Sequence, residues 1–302
     1  MTITALILVL ASTAMHATWN FLSKRSLPTG AFFWWANLAG LALLSPMLVR
    51  HADLIPQLDP TLWGLVALTG VFLAVYYASL ASSYRDDDMS LVYPLARSSP
   101  VIVILASTIL FGRGGDLGAG CIVGSILVVA GCVLVPLDGW RRLKWSSYAC
   151  PACGLAIVAA FGTAGYSIVD DIALRELRTL DGSTVSALET TLFYAALQAA
   201  SCALALGVWI AVRREGRRDA LRIWREQRRT ALATGVAITA TYSLVLLAMT
   251  SARDVSYVVA FRQASIPIGV ALGAILLKEK LYLPRVVGVT TILAGLTLVA
   301  LD

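Results

Sequence analysis

The chain has 302 residues, 58% of them hydrophobic and only 14% charged. A soluble domain carries about 25% charged residues, so this composition excludes a soluble globular protein with an ordinary polar surface. The net charge of +6 does not point to nucleic acid, because the cations gather in short loops beside apolar stretches, where anionic lipid and the insertion machinery select them.

A helix that crosses a bilayer needs ~20 mostly apolar residues. Such stretches are expected at 2–22, 30–49, 62–83, 89–111, 117–136, 148–170, 184–211, 231–252, 255–277 and 283–301. The first has no basic n-region and no cleavage motif, and reads as a retained span rather than a signal peptide. Cys150-Pro-Ala-Cys153 at the sixth has redox-motif spacing without a βαβ context, and reads as a first-turn proline among small residues. Most connections are short, which makes successive helices antiparallel neighbours. Segment 212–230 carries eight arginines between Arg213 and Arg229. Within it Arg217, Leu221, Trp224 and Arg228 fall on neighbouring turns, so it is either a helix on the lipid surface or a solvated positive loop.

Loops after odd-numbered spans hold 17 Lys and Arg residues and the opposite side holds five. By the positive-inside rule both termini lie outside a cell membrane and segment 212–230 lies in the cytoplasm. An internal repeat accompanies the spans. Residues 76–138 run through Tyr76-Tyr77, the hairpin Arg85-Asp-Asp-Asp88, Arg97, Pro100, a Gly-rich span and a closing Leu-Asp. Residues 242–302 run through Tyr242, Arg253-Asp254, Arg262, Pro267, a Gly-rich span and a closing Leu-Asp. The expected fold is all-α: ten transmembrane helices in two inverted five-helix repeats, 1–138 and 148–302, around a central cavity.

Arg97 and Arg262 lie about eight and seven residues into their spans, roughly 10–13 Å deep. A charge near the bilayer centre costs on the order of 2.5–3.5 kcal/mol, so such residues are paired or functional. Two guanidiniums facing one cavity suit a carboxylate, phosphate or phosphonate; otherwise each fastens the bundle to a carbonyl or acid. His16, Asn20 and Lys24 share one helical face with Trp19 beside them, a stripe that lines a cavity or packs on a polar helix. His16 is a candidate for a coupling proton. Trp34, Trp35, Asn37, Tyr76, Tyr77, Tyr166, Tyr194 and Tyr242 fit either an interfacial belt or a ligand box, whereas Tyr93 shares a face with Arg97 one turn on. Intramembrane acids are scarce: Glu189 is the candidate proton-binding carboxylate, and Asp170-Asp171 are expected to close the sixth span.

His16-Ala-Thr-Trp-Asn20 with Lys24, Tyr93-Pro-Leu-Ala-Arg97, Val255-Ser-Tyr-Val, Arg262-Gln-Ala-Ser265 and Leu277-Lys-Glu279 follow in order along the whole chain. Together they resemble the EamA-type branch of the drug/metabolite transporter superfamily. The resemblance implies ten helices in two inverted repeats and alternating access without ATP. It departs from the family where Gly112 is followed by Arg113 rather than Glu, and where Gln263 replaces the acid that often follows the arginine. Relatives also often have cytoplasmic termini, opposite to the charge count.

The expectation is therefore a secondary transporter of a small anionic or zwitterionic metabolite, of the amino acid, organic acid or phosphonate class. Arg97, Arg262, His16, Trp19, Asn20, Tyr93, Gln263, Asn37 and Tyr77 form the expected binding set, and His16 and Glu189 the proton-coupling set. No catalytic residues, metal, cofactor or nucleic acid are expected. The partners are a small molecule and the lipid bilayer, with a homodimer left open. The alternatives are a membrane scaffold or receptor subunit, or an exporter of cationic or hydrophobic drugs; an intramembrane enzyme lacks any recognisable motif.

Overall fold

The computed structural model describes residues 2–22, 29–86, 95–109, 117–140, 151–180, 185–276, 278 and 280–302, and of 17–22, 83–86, 180 and 276 the backbone alone. The described residues form helices and no strand: α1 Ile3–Leu22, α2 Gly30–Arg50, α3 Pro60–Asp86, α4 Ser99–Ile109, α5 Ala119–Leu134, α6 Pro151–Leu180, α7 Ala187–Ala211, α8 Arg214–Glu226, α9 Arg228–Met249, α10 Val255–Phe261, α11 Ser265–Leu276 and α12 Leu283–Leu301. Seven helical stretches are long and apolar enough to cross a membrane, counting Val255–Ile275 as one, and Ile3–His16, α4 and α5 are shorter apolar helices. This is a multi-pass helical membrane protein. Helices suit that solvent because their backbone polar groups are satisfied internally.

The helix starts are locally encoded. The Thr29 hydroxyl accepts from the Phe32 amide at the start of α2, and the Asp254 carboxylate from the Ser256 amide at the start of α10. Ser186 and Glu189 exchange bonds as a capping box at the start of α7.

Three expectations about elements change. The sixth span does not close at Asp170-Asp171 but runs on to Leu180. Its buried stripe continues through Leu174 and Leu177, and Arg175 pairs with Asp171 at 2.9 Å one turn back. Segment 212–230 is mostly helix: α8 buries Gly216, Ala220 and Ile223 against the bundle, with Trp224 stacked on Trp35 at 4.3 Å. The ninth span is broken, since Arg262–Ala264 form a 3₁₀ turn between α10 and α11. Pro267 lacks the N–H that would bond the Gln263 carbonyl, so the regular ladder cannot run through there. Pro100 has the same relation to Ala96, and the chain is again non-helical at Arg97 and Ser98. Both deep arginines thus stand at helix interruptions.

The main packing pairs are α5 with α12, α3 with α6, α1 with α9, α2 with α7, α2 with α9, and α3 with α7. The first is a close crossing of small residues. A Cβ on Gly124 or on Gly295 would stand 2.5 Å from the other's carbonyl oxygen, so neither position has room for a side chain.

Candidate functional site

These pairs surround a cavity of about 1080 Å³. Its deep wall is made by His16 of α1, Phe33 and Asn37 of α2, Tyr76 and Tyr77 of α3, Tyr166 of α6, Gln198 of α7 and Tyr242 of α9, together with Arg97, Arg262 and Gln263. Its mouth is charged: Glu215, Arg218, Asp219 and Arg222 of α8 line it beside Arg285. The cavity therefore opens at the α8 end of the bundle.

The other end is tied shut. Arg50 Nε meets Glu189 Oε1 at 3.1 Å, Arg178 Nη1 donates to the Thr250 carbonyl at 3.3 Å, and the Thr2 hydroxyl donates to the Ser251 carbonyl at 2.9 Å. At the same end Asp302 accepts from the amides of Gly120 and Cys121, at 3.2 and 3.3 Å, and from the Tyr257 hydroxyl at 2.8 Å. Those donors, the Tyr257 hydroxyl first, hold the Asp302 carboxyl below the usual carboxylate range.

Within the cavity the two arginines have different settings. Arg97 Nη2 lies 3.3 Å from His16 Nε2. Arginine only donates, so this contact makes Nε2 the acceptor and puts the imidazole proton on Nδ1. Arg262 Nη2 donates to the Tyr166 hydroxyl at 3.1 Å, and its guanidinium carbon lies 5.3 Å from the Tyr242 ring centre and 5.8 Å from that of Tyr166. Its Nη1 is buried with no hydrogen-bond partner, as is Gln263 Oε1 next to it. Tyr166 meets Tyr242 edge-on at 5.6 Å, and Phe33 stacks on Tyr77 at 4.5 Å. The site is an aromatic box around cationic donors.

The structure brings six of the expected residues, His16, Asn37, Tyr77, Arg97, Arg262 and Gln263, to this one cavity. Asn37 donates to the Phe33 carbonyl at 2.8 Å. Tyr93 and Lys24 lie outside the described residues, as do the side chains of Trp19 and Asn20. Glu189 stands away from the cavity, in its capping box and its pair with Arg50.

Asp170 was not among the expected site residues. Its Oδ1 accepts from the Thr69 and Tyr194 hydroxyls at 2.6 and 2.7 Å, and its Oδ2 from Gln198 Nε2 at 2.6 Å and the Tyr242 hydroxyl at 2.5 Å. It is wholly buried. The signal available in the sequence was the spacing Tyr166, Asp170, Leu174, Leu177, which continues one helical face past the acid.

Residues 3–137 match the EamA-like transporter family. The match covers less than half of the chain, and over it the chain is similar to this family, which is part of the drug/metabolite transporter superfamily. A crystal structure of a protein 15% identical in sequence superposes over 98% of the chain and 97% of its own length with a TM-score of 0.66, a likeness of fold alone. No curated protein matches the chain. The EamA-like segment carries α1 to α5, including His16, Asn37, Tyr77 and Arg97. Over this segment the chain is similar to membrane transporters of the drug/metabolite type.

Proposed function

We propose that this protein is a secondary transporter of a small anionic or zwitterionic metabolite, working by alternating access. The observation that carries the reading is the buried Arg262 Nη1, a donor without a hydrogen-bond partner in the wall of a cavity open at one end. A buried donor left unsatisfied costs about 1–3 kcal/mol, and more when charged. A carboxylate, phosphate or phosphonate oxygen reaching Nη1 removes that cost, with Arg97, His16, Asn37, Tyr77 and Gln263 reading the rest of the molecule and Trp19, Asn20 and Tyr93 completing the proposed set. Cations are disfavoured by two arginines in one cavity, which sets aside the cationic-drug exporter.

Alternating access is supported by the packing. If 1–138 and 148–302 are inverted five-helix repeats, α1 corresponds to α6, α2 to α7, α3 to α9, α4 to α10–α11, and α5 to α12. Under that exchange the pair α3–α6 becomes α9–α1 and the pair α2–α9 becomes α7–α3, both present, while α2–α7 and α5–α12 map onto themselves. Two halves related in this way can rock about a central site. With both termini outside a cell membrane, the α8 end is cytoplasmic and this conformation faces inward. His16, at the cavity wall, remains a proton-coupling residue in this reading, whereas Glu189 fits better as half of an outer latch with Arg50.

The test is uptake by proteoliposomes of carboxylate, amino acid and phosphonate substrates. Arg262→Ala and Arg97→Ala are expected to abolish flux while the protein stays folded. A scaffold would show no flux to lose.

A further inference from the structure

Behind the cavity wall lies a carboxylate that the binding site does not use. We propose that Asp170 is a proton-binding site that exchanges protons with the central cavity through Tyr242 and Gln198 and couples them to an anion held at Arg262.

The first ground is the chemistry of its shell. Its partners are three hydroxyls, of Thr69, Tyr194 and Tyr242, and one amide, of Gln198. Each of those groups both donates and accepts. With the carboxylate ionised, all four donate to it. When a proton arrives, one hydroxyl rotates, or the Gln198 amide turns, to accept from the new carboxyl O–H. Both charge states are therefore fully hydrogen-bonded. An arginine, lysine or backbone N–H in the same place has no acceptor to offer and would fix the ionised form.

The second ground is position. Gln198 and Tyr242 line the cavity and also touch Asp170, whereas Thr69 and Tyr194 are wholly buried on its far side. Tyr242 is seven residues from the closed end of α9, roughly 10 Å at ~1.5 Å per residue. The carboxylate thus lies between the cavity and the closed end, with one route toward the open side. It also joins α3 of the first half to α6, α7 and α9 of the second, the helices that must separate when access alternates.

The third ground is charge. The titratable groups facing Asp170 are Tyr194 from α7 and Tyr242 from α9; α3 presents Thr69, and the α4 residues Ser99–Ile109 contain no titratable side chain. From the α10 side Arg262 reaches it only across the Tyr242 and Tyr166 rings, and on its own helix Asp171 is turned to Arg175. The carboxylate therefore balances the Arg262 cation at one remove. An anion bound at Arg262 is a second negative charge in the same poorly hydrated region and favours protonation of Asp170. Linkage is reciprocal, so protonation favours anion binding to the same degree. Proton and anion then cross together. This last step rests on the transport reading; the proton site itself does not.

Infrared difference spectroscopy of the ligand-free purified protein, titrated across the neutral range, tests the site without any substrate. The expected result is a protonated-carboxyl C=O band that shifts on labelling aspartate with 13C and is lost in Asp170→Asn. Tyr242→Phe, which removes one donor to the carboxylate, is expected to move the midpoint of that band to higher pH, and it serves alone if Asp170→Asn does not fold. Spectra that titrate alike in wild type and Asp170→Asn, or an unmoved midpoint in Tyr242→Phe, overturn the proposal. Because no substrate is present, that failure would leave the transport reading standing.

Discussion

The guanidinium of Arg262 and the carboxylate of Asp170 are joined by one side chain: the cation lies 5.3 Å from the Tyr242 ring centre, and the Tyr242 hydroxyl donates to Asp170 Oδ2. This aromatic spacer separates the two charges, whereas in a direct salt bridge the acid would occupy the donors that the proposed anionic substrate would use. The arginine stays available to the cavity while its charge is balanced nearby.

Conservative replacement separates geometry from charge at this position. Arg262→Lys keeps the cation but loses the planar fork and its stacking on tyrosine. Hydrogen bonds to charged groups contribute about 1.5–3 kcal/mol, corresponding to a roughly 10- to 150-fold weaker affinity for an anion. Titration calorimetry with a ligand found by thermal-shift screening measures this; an unchanged affinity would show that the fork is not used.

The Arg50–Glu189 pair should act as a weak outer latch. Its side chains are 64% and 30% exposed, and pairs this open to solvent shift an equilibrium by about fivefold at most. Glu189→Gln is therefore expected to raise the outward-facing population by no more than about fivefold. The labelling rate of Thr190→Cys by an impermeant maleimide reads that population, since Thr190 is buried in the closed state.

Crowding at the α5–α12 crossing predicts a sharp contrast between glycines. Gly124→Leu must displace α12 backbone and should cost about 1–3 kcal/mol or more, lowering the melting temperature in detergent. Gly154→Ala points into open space on α6 and should be neutral or stabilising by up to about 1 kcal/mol.

Acid should loosen the closed end through Asp302. Its carboxyl is held below the usual range, the Tyr257 hydroxyl being the largest cause, so its contribution is present above the unfolded-state value and lost as pH falls through the folded-state value. Asp302→Asn should flatten the acid limb of melting temperature against pH. Identical acid limbs in variant and wild type would count against this role.

Much of the fold was legible because hydropathy alone marks a span: every expected stretch contains a helix. Arg97 and Arg262 were legible because a charge inside an apolar run has few bland explanations. Asp170 was not, because an Asp-Asp pair near the end of an apolar run looks like a boundary, and only the continuation of the buried face through Leu174 and Leu177 shows otherwise. Tyr166 and Tyr242 were ambiguous for a related reason. Tyrosines near span ends serve lipid interfaces as well as cavities, and their role here depends on which helices pack together. The setting of Glu189 was not legible either, because depth counted from the start of an apolar run says nothing of a capping box at the helix end.

The most direct test of the central claim is a thermal-shift screen of the purified protein against carboxylates, amino acids and phosphonates, repeated in Arg97→Ala and Arg262→Ala. An anion-binding transporter predicts a stabilising ligand whose effect disappears in both variants. Stabilisation that persists undiminished in both would contradict it.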